Sequence, residues 1–384
     1  MDKTAEVFIK LLKCAVTESD EAVDYGGVTY GRLYELSSRH SLGHIMYREL
    51  KKRGALPKNE EMRSELEKCY LSTRKHLGNR FLAMNSVEEI LEKNEVPFIL
   101  LKGAFLTRLY PEPWMRSGAD VDVLVKPEDL EKASALFTEA GMRKESECGH
   151  HYVFIMANDF HVELHFTLIE DERMPSAAKI LNRVWDYAVP RDGCVYEHVL
   201  KDEIFYFYHI VHMAKHFKSG GCGVRTVLDL WLLNNRMEYD RAKRDELIKK
   251  GGMSAFEECA VKLSEIWFSD APDDGSLDDF AEFILDGGSY GTEKQSTEIR
   301  STKSESKLSY YMKRVFLPYS AIKHSYPILK KAPVLLPVFW VVRWFKLLDP
   351  EVNKRTKREM EYVKGTDDET EARINSLFSK LGLE

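Results

Sequence analysis

The chain has 384 residues, 44% hydrophobic and 31% charged, enough to bury a large core in two or three units, which excludes wholesale disorder. The 56 Lys and Arg against 62 Asp and Glu leave a net charge of −6, which argues against holding long nucleic acid by bulk electrostatics. Six cysteines, Cys14, Cys69, Cys148, Cys194, Cys222 and Cys259, lie far apart without a Cys-x-x-Cys pair, which fits neither a disulfide scaffold nor a zinc knuckle and predicts reduced cytosolic thiols.

The opening MDKTAEVFIK lacks the continuous apolar stretch of an export signal, so a cytoplasmic protein is expected. Residues 1 to about 95 are predicted helical, because Val7, Phe8, Leu11 and Leu12, then Leu33, Leu36, Tyr47 and Leu50, recur near the helical period. Gly26-Gly27, Gly54 and Pro57 separate these helices. A third helix is predicted from near Asn59 to Asn94, with Leu66, Tyr70, Leu77, Phe81, Met84 and Ile90 inward and Pro97 beyond its end. It is expected to carry packing rather than chemistry.

The pattern changes at Pro97. Phe98 to Leu101 is a short apolar run, Lys102-Gly103 a turn and AFLTRLY helix-like before Pro111 and Pro113, which reads as strand, turn, helix. ADVDVLV alternates, Pro127 suits a first helical position, and a helix from Glu128 to Ala140 is closed by Gly141. HYVFIMANDFHVELHFTL gives two alternating runs joined at Ala157-Asn158-Asp159, a hairpin. A small mixed sheet follows from these elements.

Beyond about Val195, helix returns in VLKDEIFYFYHIVHMAKHF, in VRTVLDLWLLNNR and in an amphipathic stretch from Arg244 to Phe268. Residues from about 286 to 307 are polar and rich in Gly and Ser, and a mobile loop is expected there. The apolar stretch Pro333 to Leu348 contains Pro337, Arg343 and Lys346 and falls short of the roughly 20 residues that span a bilayer. Its aromatic and aliphatic residues with two basic ones would also suit an interfacial helix on anionic membrane, but it is expected to pack in the core, and membrane association is not expected. The fold class is therefore α+β: an N-terminal helical region over 1–68, a small mixed-sheet core over 69–194 and a large C-terminal helical domain over 195–384.

Asp120 and Asp122 sit two apart in an alternating strand, so both carboxylates share one face while Val121, Val123 and Val125 take the other. Like charges held that close call for a cation between them, which makes the pair a candidate Mg²⁺ site; a solvated acidic edge strand is the plainer alternative. In HVELHF, His161, Glu163 and His165 share one face, so Glu163 can supply a third carboxylate. Three carboxylates on neighbouring strands match a two-metal phosphoryl-transfer site. Upstream, Lys102-Gly103 opens a helix where a glycine lets the backbone approach a phosphate and Lys102 adds charge, a triphosphate cradle. Arg116 offers its guanidinium either to triphosphate or to a salt bridge with Asp120 or Asp122. His165 either binds a phosphate or fixes Glu163 by hydrogen bonding.

Leu101-Lys102-Gly103, then Arg116 before Asp120-Val121-Asp122, then Glu163-Leu164-His165 together resemble the uncharacterised nucleotidyltransferase family of the polymerase-beta-like superfamily. The segments His209 to His216 and Val224 to Asp229 resemble that family's helical half, and the likeness spans residues from about 70 to 350. It implies a nucleotidyltransferase fold in which Asp120, Asp122 and Glu163 hold two Mg²⁺ ions, or Mn²⁺ in their place. The implied reaction moves a nucleoside monophosphate from a nucleoside triphosphate to a hydroxyl or similar acceptor on a small molecule, peptide or protein, releasing pyrophosphate. Lys102, Gly103, Arg116 and His165 would contact the nucleotide. The wider superfamily has a Gly-Ser turn where Lys102-Gly103 stands here, and usually Asp where Glu163 stands.

Three rival classes are a catalytically silent module of the same fold, binding nucleotide or a partner, an Asp-x-Asp glycosyltransferase, and a membrane-peripheral adaptor using the C-terminal helices. Against the second counts the lack of a doubly wound first half. His209, His212 and His216 fall on one helical face, either as zinc ligands or, as expected here, in structural or substrate-contact roles. Arg225 and Asp229 are expected to form an i, i+4 pair.

Overall fold

In the computed structural model, which describes residues 1–147, 149–170, 174–304, 306–326, 328–346 and 349–384, four helices precede the sheet. They are α1 (Lys3–Thr17), α2 (Tyr30–Arg39), α3 (Gly43–Lys52) and α4 (Glu60–Lys93). Asp2 and Asn59 open α1 and α4 by accepting the N–H of Ala5 and Met62, which satisfies a donor that has no partner inside the helix. The buried stripe of α4 is Leu66, Arg80, Ala83, Val87 and Leu91, whereas Phe81, expected inward, is 42% exposed.

The middle of the chain alternates β1 (Phe98–Leu100), α5 (Lys102–Leu106), β2 (Asp120–Val125), α6 (Leu130–Glu139), β3 (Arg143–Glu147), β4 (His151–Ile155), β5 (His161–His165), α7 (Pro175–Leu181), β6 (Ala188–Pro190) and β7 (Glu197–Leu200). These form one mixed sheet in the order β3-β4-β5-β2-β1-β7-β6. At its centre β2 and β5 run parallel with Asp122 opposite Glu163, while β1 pairs antiparallel with β2. The β4–β5 hairpin turns where Asp159 adopts a left-handed φ of 58°. Because β7 pairs with β1, the sheet runs past the boundary expected at residue 194.

Strand alternation sorts the core onto two sides. Val121, Val123 and Val125 with Val162 and Leu164 face the back, where they meet Val87 and Leu91 of α4 and Leu130 and Phe137 of α6. Burying each such side chain contributes about 1.5–3 kcal/mol, which pins the register, since a one-residue slip would turn the acids inward. Ile99 and Leu124 face the front and join the larger core of the flanking helices.

The remaining helices are α8 (Asp202–Ser219), α9 (Val224–Arg236), α10 (Arg241–Lys250), α11 (Ser254–Phe268), α12 (Asp278–Gly287), α13 (Glu293–Thr302), α14 (Lys307–Val315), α15 (Tyr319–Ser325), α16 (Ile328–Lys331), α17 (Leu336–Phe345), α18 (Pro350–Gly365) and α19 (Asp368–Lys380). Two expectations are corrected here. Helix α13 occupies much of the stretch read as a loop; Thr292 and Gln295 cap it reciprocally and Ile299 is buried. The stretch from Pro333, expected in the core, contributes no buried residue from Pro333 to Phe345. Leu347 and Leu348 lie outside the described residues.

Candidate active site

Asp120 and Asp122 point to the front of the sheet, where helices α4, α8 and α9 wall a space above β2. There a cavity of about 480 Å³ is lined by Lys102, Gly103, Arg116, Asp120, Asp122 and Glu163, a volume in the ordinary range for small-molecule sites. The parallel ladder sets Glu163 beside Asp122, so two strands remote in sequence bring their carboxylates together. His165 fixes both: its Nε2 lies 2.9 Å from Asp122 Oδ1 and 3.2 Å from Glu163 Oε2. Lys102 Nζ approaches Asp122 Oδ2 at 3.9 Å from the start of α5.

Charge is divided unequally among the acids. Asp120 is pushed up to about 6 by burial and by the neighbouring charges of Asp122 and Glu163. Burial also works against a charged Asp122, yet Lys102 and the His165 N–H hold it well below the usual carboxylate range. The His165 N–H likewise keeps Glu163 low against burial. Burial disfavours the Lys102 ammonium, but Asp122 with Tyr208, Asp120 and Glu163 hold it firmly protonated. Asp120 therefore carries the uncompensated charge.

All three acids are hard oxygen donors, and the raised Asp120 marks where a divalent cation would relieve repulsion, a set that suits Mg²⁺ or Mn²⁺. Asp122, Glu163 and His165 place ligand atoms within 4.8 Å of one another, and Asp120 stands outside that group. The expected three-carboxylate cluster is thus more open than the strand pattern implied. A second group, His150, His151 and His165, adjoins the first, with the Nδ1 of each ring buried and without a hydrogen-bond partner among the described residues.

The loop that carries Arg116 is held from three sides. His44 Nε2 meets the carbonyl of Met115 at 2.9 Å, Arg80 Nη1 donates to that of Arg116 at 3.3 Å, and Arg225 Nη1 to that of Ser117 at 3.0 Å. At Gly118 a Cβ would lie 2.9 Å from Arg80 Nη1, so a side chain there would push the guanidinium aside. Arg116 itself grips Asp229 through Nε at 3.0 Å and Nη2 at 3.1 Å, and Tyr110 donates to Asp229 Oδ1 at 2.8 Å. Its Nη1 points toward Gly103.

The family described as uncharacterised nucleotidyltransferase matches residues 27–269, a span that takes in all seven strands, the cleft loop and helices α8 and α9. The chain belongs to this family. No curated protein and no solved structure matches the chain.

In this member of the family, the structure gathers Lys102, Gly103, Arg116, Asp120, Asp122 and Glu163 around one cavity. His165 differs. It is buried beneath Asp122 and Glu163, so it positions carboxylates where a nucleotide contact was also in view. Arg116 bridges neither Asp120 nor Asp122, because Asp229 takes it; Arg225, expected to hold Asp229, donates to Ser117 instead. His209, His212 and His216 do share the cavity wall, with His212 and His216 joined at 2.9 Å through their Nε2 atoms. Burial lowers His212 well below the ordinary histidine value.

Sequence reasoning assigned α4 to packing alone, yet α4 lends Thr73, His76 and Arg80 to the cavity. Arg80 lies on the same helical face as Ala83, Val87 and Leu91 and is 2% exposed. A charged residue inside an otherwise apolar stripe was the available signal, since buried arginines occur where something holds them.

Proposed function

We propose that the chain transfers a nucleoside monophosphate from a nucleoside triphosphate to a hydroxyl or similar acceptor, with pyrophosphate leaving. The observation that carries this reading is Asp122 beside Glu163 in the parallel ladder, with Asp120 on the same face and Lys102 above them at the floor of one cavity. A divalent cation held by Asp120, Asp122 and Glu163 would supply Lewis-acid charge at the phosphate under attack. Lys102, the Gly103 backbone and the Arg116 Nη1 edge would hold the triphosphate tail. Arg116 is well placed because Asp229 and Tyr110 fix its plane before any phosphate arrives. Glu163 would accept the proton of the acceptor hydroxyl, with His165 orienting its carboxylate.

The acceptor is a small molecule, a peptide or a protein side chain, since the net charge of −6 disfavours long nucleic acid. A second reading, a nucleotide-binding module without transfer, is favoured by Asp120 standing apart from the Asp122, Glu163 and His165 group.

The deciding experiment incubates the chain with each α-labelled triphosphate, Mg²⁺ and cell extract, and follows label into any component. Label should move with the parent and fall by roughly 10³-fold or more in Asp122→Asn and Glu163→Gln, both still folded. Full transfer by both variants would remove the site. Mg²⁺-dependent triphosphate binding with no transfer would select the silent module.

A further inference from the structure

Between Ser306 and Lys346 the chain carries eight Lys and Arg and no Asp or Glu, within a protein of net charge −6. The same segment exposes apolar side chains in regular stripes. On α14 the stripe is Leu308, Met312 and Val315, the first 70% exposed. On α17 and the turn before it the stripe is Val334, Val338, Val341, Val342 and Phe345, with Val334 84% and Phe345 67% exposed. Spacings of three, four and seven residues put each stripe on one helical face.

The inner face of α17 is already satisfied. Trp340 Nε1 donates to the Leu317 carbonyl at 2.8 Å, Trp344 Nε1 to that of Val315 at 3.0 Å and Arg343 Nη1 to that of Arg314 at 2.7 Å. Phe316 packs edge-on against both indoles. The outer stripe is therefore a second apolar face with nothing upon it among the described residues. Of the basic groups, Arg314 is taken by Glu359. Lys313, Lys331 and Lys346 are exposed and flank the stripes, and none meets a carboxylate among the described residues.

We propose that α14 and α17 form a docking surface for an anionic lipid bilayer, the outer stripes entering the headgroup region and the lysines meeting lipid phosphates. An apolar helical face flanked by exposed lysines, on a segment with no Asp or Glu of its own, is the chemistry of an interfacial helix. No helix among the described residues is long and apolar enough to cross a membrane, so the contact is peripheral. A second copy of this chain fits poorly, because pairing two such faces would oppose cations to cations. The inference is independent of the transfer reaction.

The test is flotation of the full chain with vesicles of phosphatidylcholine alone or with about one-third phosphatidylglycerol. The chain should float with the anionic vesicles only, and flotation should fall about tenfold in roughly 0.5 M salt, where screening removes the cationic attraction. Val338→Glu with Phe345→Glu, and separately Lys313→Gln with Lys331→Gln and Lys346→Gln, should float at background while melting as the parent does. A parent that stays with the soluble fraction at low salt overturns the proposal, as do variants that float like the parent. So does light scattering that finds a dimer split by Val338→Glu, since the face would then be a self-interface. Should a variant misfold, the lipid and salt series on the parent still decides.

Discussion

The β2–β5 ladder and the α14–α17 segment are both rich in valine and leucine, yet one buries nearly all of its apolar atoms and the other leaves whole stripes uncovered. In the ladder every apolar residue has a partner fixed by backbone hydrogen bonds two strands deep, so alternation alone decides which side chain goes inside. A helix carries no such guarantee. Its apolar face is buried only if another element arrives, and for α17 the element that arrives, around Phe316, covers one side.

That contrast can be broken by mutation. The largest expected effect is Leu164→Ala on the back of the sheet, which should cost about 2–5 kcal/mol in urea unfolding, because the site is fully enclosed by α4, α6 and the neighbouring strands. A loss below about 1 kcal/mol would mean that the back of the sheet is loosely packed.

The next effect has the opposite sign. Asp120 titrates near 6 when folded, above its ordinary 3.8, so the folded state holds that proton more tightly than the unfolded chain. Its contribution to stability is full below about pH 4 and lost as pH rises through about 6. Asp120→Asn should therefore raise the melting temperature in Mg²⁺-free buffer at pH 7.5 by about 2–4 °C and leave it unchanged near pH 4, while abolishing label transfer. Equal melting curves at pH 7.5 would show that neither burial nor the neighbouring acids disfavour the Asp120 carboxylate. The smallest effect belongs to Val338→Ala, expected within about 0.5 kcal/mol of the parent because the side chain is already in solvent. A cost of 2 kcal/mol or more, on the scale of a core truncation, would place that stripe in a hidden contact.

The same distinction governs what could be read from residue order. Asp120, Asp122 and Glu163 came out on one face because period-two alternation is a local rule, and the helix start near Asn59 and the β4–β5 turn were equally local. Arg116 meeting Asp229 across 113 positions, or Arg225 reaching back to Ser117 across 108, has no local signature. Helix α13 did have one. Thr292-x-x-Gln295 is a capping box whose polar composition hid it, because a helix on the surface needs only a narrow apolar edge such as Ile299. Strand β7 was masked by its length of four residues beside the apolar helix α8.

Since β5 is hydrogen-bonded on both sides, to β4 through the Asp159 turn and to β2 through the parallel ladder, the gap between Asp122 and Glu163 is a property of main-chain spacing rather than of rotamer choice. A slip of β5 by one residue would rotate Glu163 to the valine side and bring Leu164 to face Lys102, and the buried Val162 and Leu164 oppose it. The spacing of the two acids is then guarded by apolar packing on the opposite side of the sheet from the cavity.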